Sequence, residues 1–311
     1  MRTLEKHFSQ PGTFLNMPRA TSTDNAKVAV LGIPFDCGVD PDRIGARHGP
    51  SAIREQSRLI SRYDGRSGID PVSALNAVDL GDIALDSGNA ERATQLIDSA
   101  LSDVISDGTV ALSFGGDGAI ALGQMRALSK RYPDLCVLHI DAHTDAYSVE
   151  GYSNATPFTR ASEEQLINCQ RSFHIGRRGS HMVDNVYQFT DQLGYQLIDM
   201  EQLLERGIGD VMRQVRDSIG SRPVYLCFDM DFFDPSVAPG VCSPTWGGAT
   251  AREGLALLKA CAGLEIVAAD INTISPPHDH AGMSALLAAT VGFEMLMLMA
   301  SGHVSQHILK R

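Results

Sequence analysis

Short apolar runs punctuate this chain at 27–33, 76–80, 109–114, 135–140, 172–176, 195–199, 224–228 and 265–271. Most are closed by Gly, Pro or Asp, and they are near-continuous rather than alternating. That pattern predicts strands buried on both faces, as in a parallel sheet. The segments between them carry helical periodicity and predict helices at 51–61, 90–105, 119–131, 162–168, on both sides of the sixth strand, at 250–263 and at 283–300. The last of these is apolar throughout and suited to burial. Alternation of strand and helix predicts one α/β domain over 28–311 with a doubly wound parallel sheet. Residues 1–27, with Pro11, Gly12 and Pro18, predict an arm without a core of its own. No internal repeat or low-complexity segment is present.

The ends of two strands carry the chemistry. The run 224–228 leads into Asp229 and Asp231, and the run 135–140 into Asp141, His143 and Asp145. Side chains two apart on an extended segment share a side, so each set projects together from the carboxyl end of a buried strand, where ligands of open α/β sheets bind. Carboxylates this close repel unless a cation or a shared proton compensates. Four Asp and one His are too many for a single catalytic zinc and suit a pair of harder divalent metals sharing carboxylates.

The motifs DAHTD at 141–145 and FDMDFFDPSVAPG at 228–240 resemble the ureohydrolase family of arginases, agmatinases and guanidinobutyrases. GIPFDCGVD at 32–40, GARHGPSAIR at 45–54, SFGGDG at 113–118 and SNATPF at 153–158 extend the resemblance over 28–300. It implies a three-layer α/β/α fold with an eight-stranded parallel sheet, and a metal pair, usually Mn, that activates water against a guanidinium carbon. By resemblance the metal ligands are Asp141, His143, Asp145, Asp229 and Asp231, with Asp141 and Asp229 shared between the ions.

Three positions depart from the family pattern. The His that follows GGD is Gly118, which removes one ligand of the first ion. The proton-shuttling His of the long loop is Asn154, which cannot accept and return a proton near neutral pH. The guanidinium-binding Glu after the eighth strand is Thr273, which cannot form a bidentate charged pair. Asn154, Thr273 and Trp246, the only Trp, are the expected substrate-pocket residues, Trp246 either filling the pocket or packing elsewhere. The expectation is at most one tightly bound divalent ion per chain, Mn or Ni. An empty site would require a protonated Asp or one paired with a Lys or Arg.

Other titratable groups read as structural: His48, His174 and His181 as isolated packed or surface histidines, His278-Asp279-His280 as a cap for the last helix, and Arg177-Arg178 as a solvated or inter-subunit pair. The net charge of −11 argues against nucleic acid and anionic membranes as partners. Six cysteines without metal-site spacing, and no secretory leader, predict a cytoplasmic protein with reduced thiols. The loss pattern resembles the non-catalytic subunit of metformin hydrolases. It implies a non-catalytic or weakly catalytic chain that assembles with an active paralogue, as a mixed hexamer, or as a homo-oligomer otherwise. The alternative is an active guanidine or amidine hydrolase of altered specificity, and a third is a metal-binding module with no hydrolase partner.

Overall fold

The computed structural model describes residues 12–39, 41–85 and 88–308, with side chains through Ser301. Its centre is a parallel sheet of eight strands: β1 Val28–Ile33, β2 Val78–Asp82, β3 Val110–Gly115, β4 Cys136–Ile140, β5 Phe173–Arg177, β6 Gln196–Asp199, β7 Pro223–Asp229 and β8 Glu265–Asn272. They lie in the order β2-β1-β3-β8-β7-β4-β5-β6, which bears out the expected eight-stranded parallel sheet. Strand residues alternate between two cores. On β7, Val224, Leu226 and Phe228 join one apolar cluster, whereas Tyr225 and Cys227 join the other. The near-continuous apolar runs of the sequence follow from this, because both faces of every central strand are covered.

Ten helices among the described residues form the outer layers: α1 Gly49–Gln56, α2 Pro71–Ala74, α3 Ala90–Ile105, α4 Ile120–Arg131, α5 Pro157–Glu163, α6 Val186–Gln192, α7 Met200–Arg206, α8 Ile208–Ile219, α9 Ala251–Lys259 and α10 Met283–Ile308. The helix expected at 162–168 lies earlier, because Pro157 occupies the first turn, where a missing N–H costs nothing. That shortens the long loop before it. α10 is apolar enough over 283–301 to cross a membrane by length and composition. Here it packs on α1, α2, α9 and β8, with Ala285, Ala288, Ala289, Val291 and Leu296 buried.

Over its described part the arm packs on the domain of its own chain. Phe14, Leu15 and Met17 are buried in the main core. Phe14 N donates to Asp79 Oδ2 at 2.9 Å and Leu15 N to Ser57 Oγ at 2.9 Å. Residues 1–11 of the arm lie outside the described residues. Asp79, fully buried, also takes two hydrogen bonds from the Arg54 guanidinium, 2.8 and 3.0 Å long, so one carboxylate ties the arm, α1 and β2 together. Removing one partner of a buried pair leaves an uncompensated charge. Arg54→Ala should therefore cost about 3–5 kcal/mol of stability, read as a lower urea midpoint; an unchanged midpoint would show that Asp79 is satisfied by the backbone donors alone.

Candidate metal centre

The four adjacent central strands β3, β8, β7 and β4 end at one cavity of about 420 Å³. Pairing of Ile140 with Phe228 sets the ends of β4 and β7 level, which brings Asp141 beside Asp229. Past those points neither segment stays extended. Asp231 sits in a 3-10 turn at Met230–Phe232, and Asp145 takes a left-handed φ of 47°. The two-residue spacing thus locates the ligand set, but turns rather than strands aim its later members. All five expected ligands line the cavity floor.

They form two overlapping groups. Asp141, His143 and Asp231 offer ligand atoms within 4.8 Å of one another, and so do His139, Asp141, Asp145 and Asp229. His143 Nδ1 stands 3.3 Å from Asp141 Oδ1 and 3.4 Å from Asp231 Oδ2, while its Nε2 reaches Thr245 Oγ1 at 3.3 Å. Apart from His143, which is partly exposed, these side chains are buried. Burial, reinforced by the charge of Asp141, raises Asp145 and Asp229 well above the usual carboxylate range and Asp231 to about 7. Asp141 itself is held well below that range, because His139 and His143 outweigh its desolvation.

His139 was invisible to the sequence reading, although it stands one two-residue step upstream of Asp141 on the same strand. Its Nε2 lies 3.2 Å from Asp141 Oδ2 and 3.3 Å from Asp229 Oδ2. Its Nδ1 faces His174 Nδ1 at 2.8 Å. One of those two nitrogens must donate and the other accept, so His174, packed against Phe158 and Tyr195, fixes the ring of His139. His174 is a packed histidine as expected, but a packed one that orients the floor of the site.

Gly118, Asn154 and Thr273 all line the same cavity. A Cβ on Gly118 would stand 2.6 Å from Asp145 Oδ2, so the Asp145 carboxylate occupies the space a side chain there would need. Asn154 Oδ1 accepts from the Cys37 thiol at 3.5 Å. Thr273 is turned toward the backbone: its hydroxyl donates to Asn272 O at 2.7 Å and accepts from Met230 N at 3.1 Å. Trp246 neither fills the cavity nor packs; it is 73% exposed and outside the lining.

His181 corrects a second expectation. It lines the cavity wall with Ser180 and Met182, its Nδ1 3.1 Å from Tyr147 Oη. Arg177 and Arg178 are likewise not simply solvated. The Arg177 guanidinium lies 3.9 Å over the Tyr187 ring, and Arg178 donates to the carbonyls of Gly176, Asp231 and Thr245 at 3.1, 2.7 and 2.8 Å. The capping role of the 278–280 segment is borne out: Asp279 accepts from Ser284 N and Ala285 N at the start of α10, and His278 bonds Ser275 away from the cavity.

Comparison with known proteins agrees with this geometry. The profile described as the Arginase family matches residues 26–298. Guanidinopropionase of Pseudomonas aeruginosa is 36% identical over 93% of this chain and 91% of its own length. Mitochondrial agmatinase of Gallus gallus is 33% identical over 92% of this chain and 85% of its own. The solved structure of proclavaminate amidino hydrolase from Streptomyces clavuligerus superposes with a TM-score of 0.89 at 33% identity, covering 94% of this chain and 98% of that one. An open parallel sheet with an acidic, histidine-bearing pocket at its central carboxyl ends defines a metal-dependent hydrolase type of site. The chain belongs to the arginase family of ureohydrolases.

That family normally carries a pair of divalent ions, usually Mn. The residues here fit such a group. Their ligand atoms gather within 4.8 Å in two groups that share Asp141, and carboxylate with imidazole is the donor set harder divalent ions take. Ligand carboxylates must give up their protons to bind metal. The metal-free fold holds a proton on Asp231 up to about pH 7. Its raised value means that this contribution to stability is present in acid and is lost as pH rises through about 7. Metal binding then competes with the proton with the opposite sign. Apparent Mn affinity should fall about tenfold per pH unit below 7 for each proton displaced, measured by metal titration at pH 6 and pH 8. Equal affinity at the two pH values would show that Asp231 is already ionised.

Proposed function

We propose that this chain is a divalent-metal hydrolase of the C–N bonds of a guanidine or amidine, weakly active on its own. The observation that supports it is the open cavity on whose floor Asp141, His143, Asp145, Asp229 and Asp231 converge, in groups whose ligand atoms lie within 4.8 Å of one another. The chemistry that divalent ions held there supply is Lewis acidity and activation of water at neutral pH. Asp141, His143, Asp229 and Asp231 would hold the better-ligated ion; Asp145 serves the other. Asp229 and Asp141 are fixed from below by His139. Thr273, locked to the backbone, gives a guanidinium no charged anchor, and Asn154 moves no proton. General acid–base help is typically worth about 10²–10⁴-fold, so turnover of arginine, agmatine or guanidinobutyrate should fall short of family rates by about that factor.

A second reading is favoured by a separate observation: all three departures, Gly118, Asn154 and Thr273, face this one cavity. Loss of metal, proton and substrate functions at a single site suits a non-catalytic or weakly catalytic subunit. Its partner would be an active paralogous ureohydrolase, in a hetero-oligomer acting on substituted guanidines or biguanides in the manner of metformin hydrolase.

Urea release by the homogeneous Mn- or Ni-loaded chain, alone and co-expressed with a paralogue, separates the two. Slow but metal-dependent urea release by the chain alone supports the first reading. No release alone, with a rise in the paralogue's specific activity on co-expression, supports the second and sinks the first. Gly118→His, which first has to displace Asp145, should raise the rate of the chain alone less than Asn154→His.

A further inference from the structure

His143 is the one imidazole among the five expected ligands, and both of its ring nitrogens have neighbours. Nδ1 faces the carboxylates of Asp141 at 3.3 Å and Asp231 at 3.4 Å, the group of three whose ligand atoms gather within 4.8 Å. Nε2 lies 3.3 Å from the Thr245 hydroxyl, the only group it reaches among the described residues.

The two residues that flank the ring are tied to each other. Nη2 of Arg178 donates to Asp231 O at 2.7 Å and to Thr245 O at 2.8 Å. One guanidinium nitrogen thus sets the backbone on both sides of His143. Asp234 accepts from Gly247 N at 2.9 Å and Gly248 N at 3.1 Å, which holds the segment after Thr245 to the turn after β7. Gly179, at a left-handed φ of 75°, makes room for Thr245: a Cβ there would stand 2.4 Å from Thr245 Cγ2. The hydroxyl also reaches Ser243 O at 3.4 Å. The surroundings, and not the contact with His143 alone, place this side chain.

A neutral histidine gives a metal ion the lone pair of one nitrogen and keeps its proton on the other. The nitrogen of His143 that faces the carboxylates is Nδ1, so in the metal-binding form the proton is on Nε2. Nε2–H then donates to Thr245 Oγ1, whose own hydrogen is left for Ser243 O. Both contacts are at the long end of the hydrogen-bond range, so the hydroxyl steers the ring rather than grips it.

We propose that Thr245 is a positioning residue for the metal centre, its hydroxyl holding His143 with Nδ1 turned to the ion site shared with Asp141 and Asp231. This rests on the reading that the cavity floor takes divalent ions, and adds to it the group that orients the one imidazole.

The test is calorimetric titration with Mn of the unchanged chain, of Thr245→Val, which keeps the shape and removes the hydroxyl, and of Thr245→Ser, which keeps the hydroxyl. Loss of such an outer partner typically weakens metal binding by about 10–100-fold. The long contacts put Thr245→Val at the low end, about tenfold weaker, and Thr245→Ser should keep most of the affinity. In His143→Ala, where no ring is left to hold, adding Thr245→Val should cost nothing further. Unchanged affinity in Thr245→Val, a loss that Thr245→Ser does not restore, or a loss of the same size with and without His143 overturns the proposal; the last is what a merely structural role gives. Urea release is measured in the same samples. Absence of Mn binding by the unchanged chain sinks the metal reading and the proposal together. A tenfold loss in Thr245→Val with no urea from any sample leaves the proposal standing and sinks the hydrolase reading, whereas urea with no effect of Thr245→Val does the reverse.

Discussion

Four carboxylates held together in a solvent-poor floor are the constraint on which this structure turns. The ligand atoms of each group lie within 4.8 Å of one another, and two unit charges at about that limit repel by about 3–4 kcal/mol at an effective dielectric near 20. A chain bears several such pairs only if something compensates them. Part of the compensation is built in: His139 from below and His143 from the side stand against Asp141, Asp229 and Asp231. The rest is left as raised carboxyl pKa values. A fold that keeps this arrangement without a cation carries strain it could discard by replacing a single Asp with Asn.

The surroundings hold that floor rigid. Adjacent parallel strands fix the separation of Asp141 and Asp229 through backbone pairing rather than side-chain packing. Arg178 gathers three carbonyls from the end of β5, the turn after β7 and the segment at 245, so the turn that aims Asp231 cannot drift from the wall. Beneath β7 and β8, Asp270 takes hydrogen bonds from the Tyr225 hydroxyl at 2.7 Å and the Gln124 amide at 2.8 Å. That buried network joins α4 to the two strands that end at the site.

What the sequence made legible follows from periodicity. Strands buried on both faces announce themselves as apolar runs, and all eight appear close to where they are read. Helix ends were less legible, since Pro157 moved one start and tertiary packing set the others. The five candidate ligands on the cavity floor were readable from their spacing and from family resemblance. His139 was missed because it lies inside an apolar run and so looks like part of the strand. His181 and Tyr147 were missed because 34 residues separate them, and only the fold brings them to one wall. Trp246 failed for the opposite reason: rarity in the sequence carried no information about place.

The three replaced family positions are not equivalent in physical terms. Thr273 has become part of the scaffold, since its hydroxyl satisfies Met230 N and Asn272 O at a left-handed φ of 66°. Exchanging it disturbs the joint between the ends of β7 and β8. Gly118 has been closed over by Asp145, so a side chain there must first move a ligand of the site it is meant to complete. Asn154 is held only by a weak contact with the Cys37 thiol. A substitution therefore disturbs existing contacts more at Thr273 and Gly118 than at Asn154.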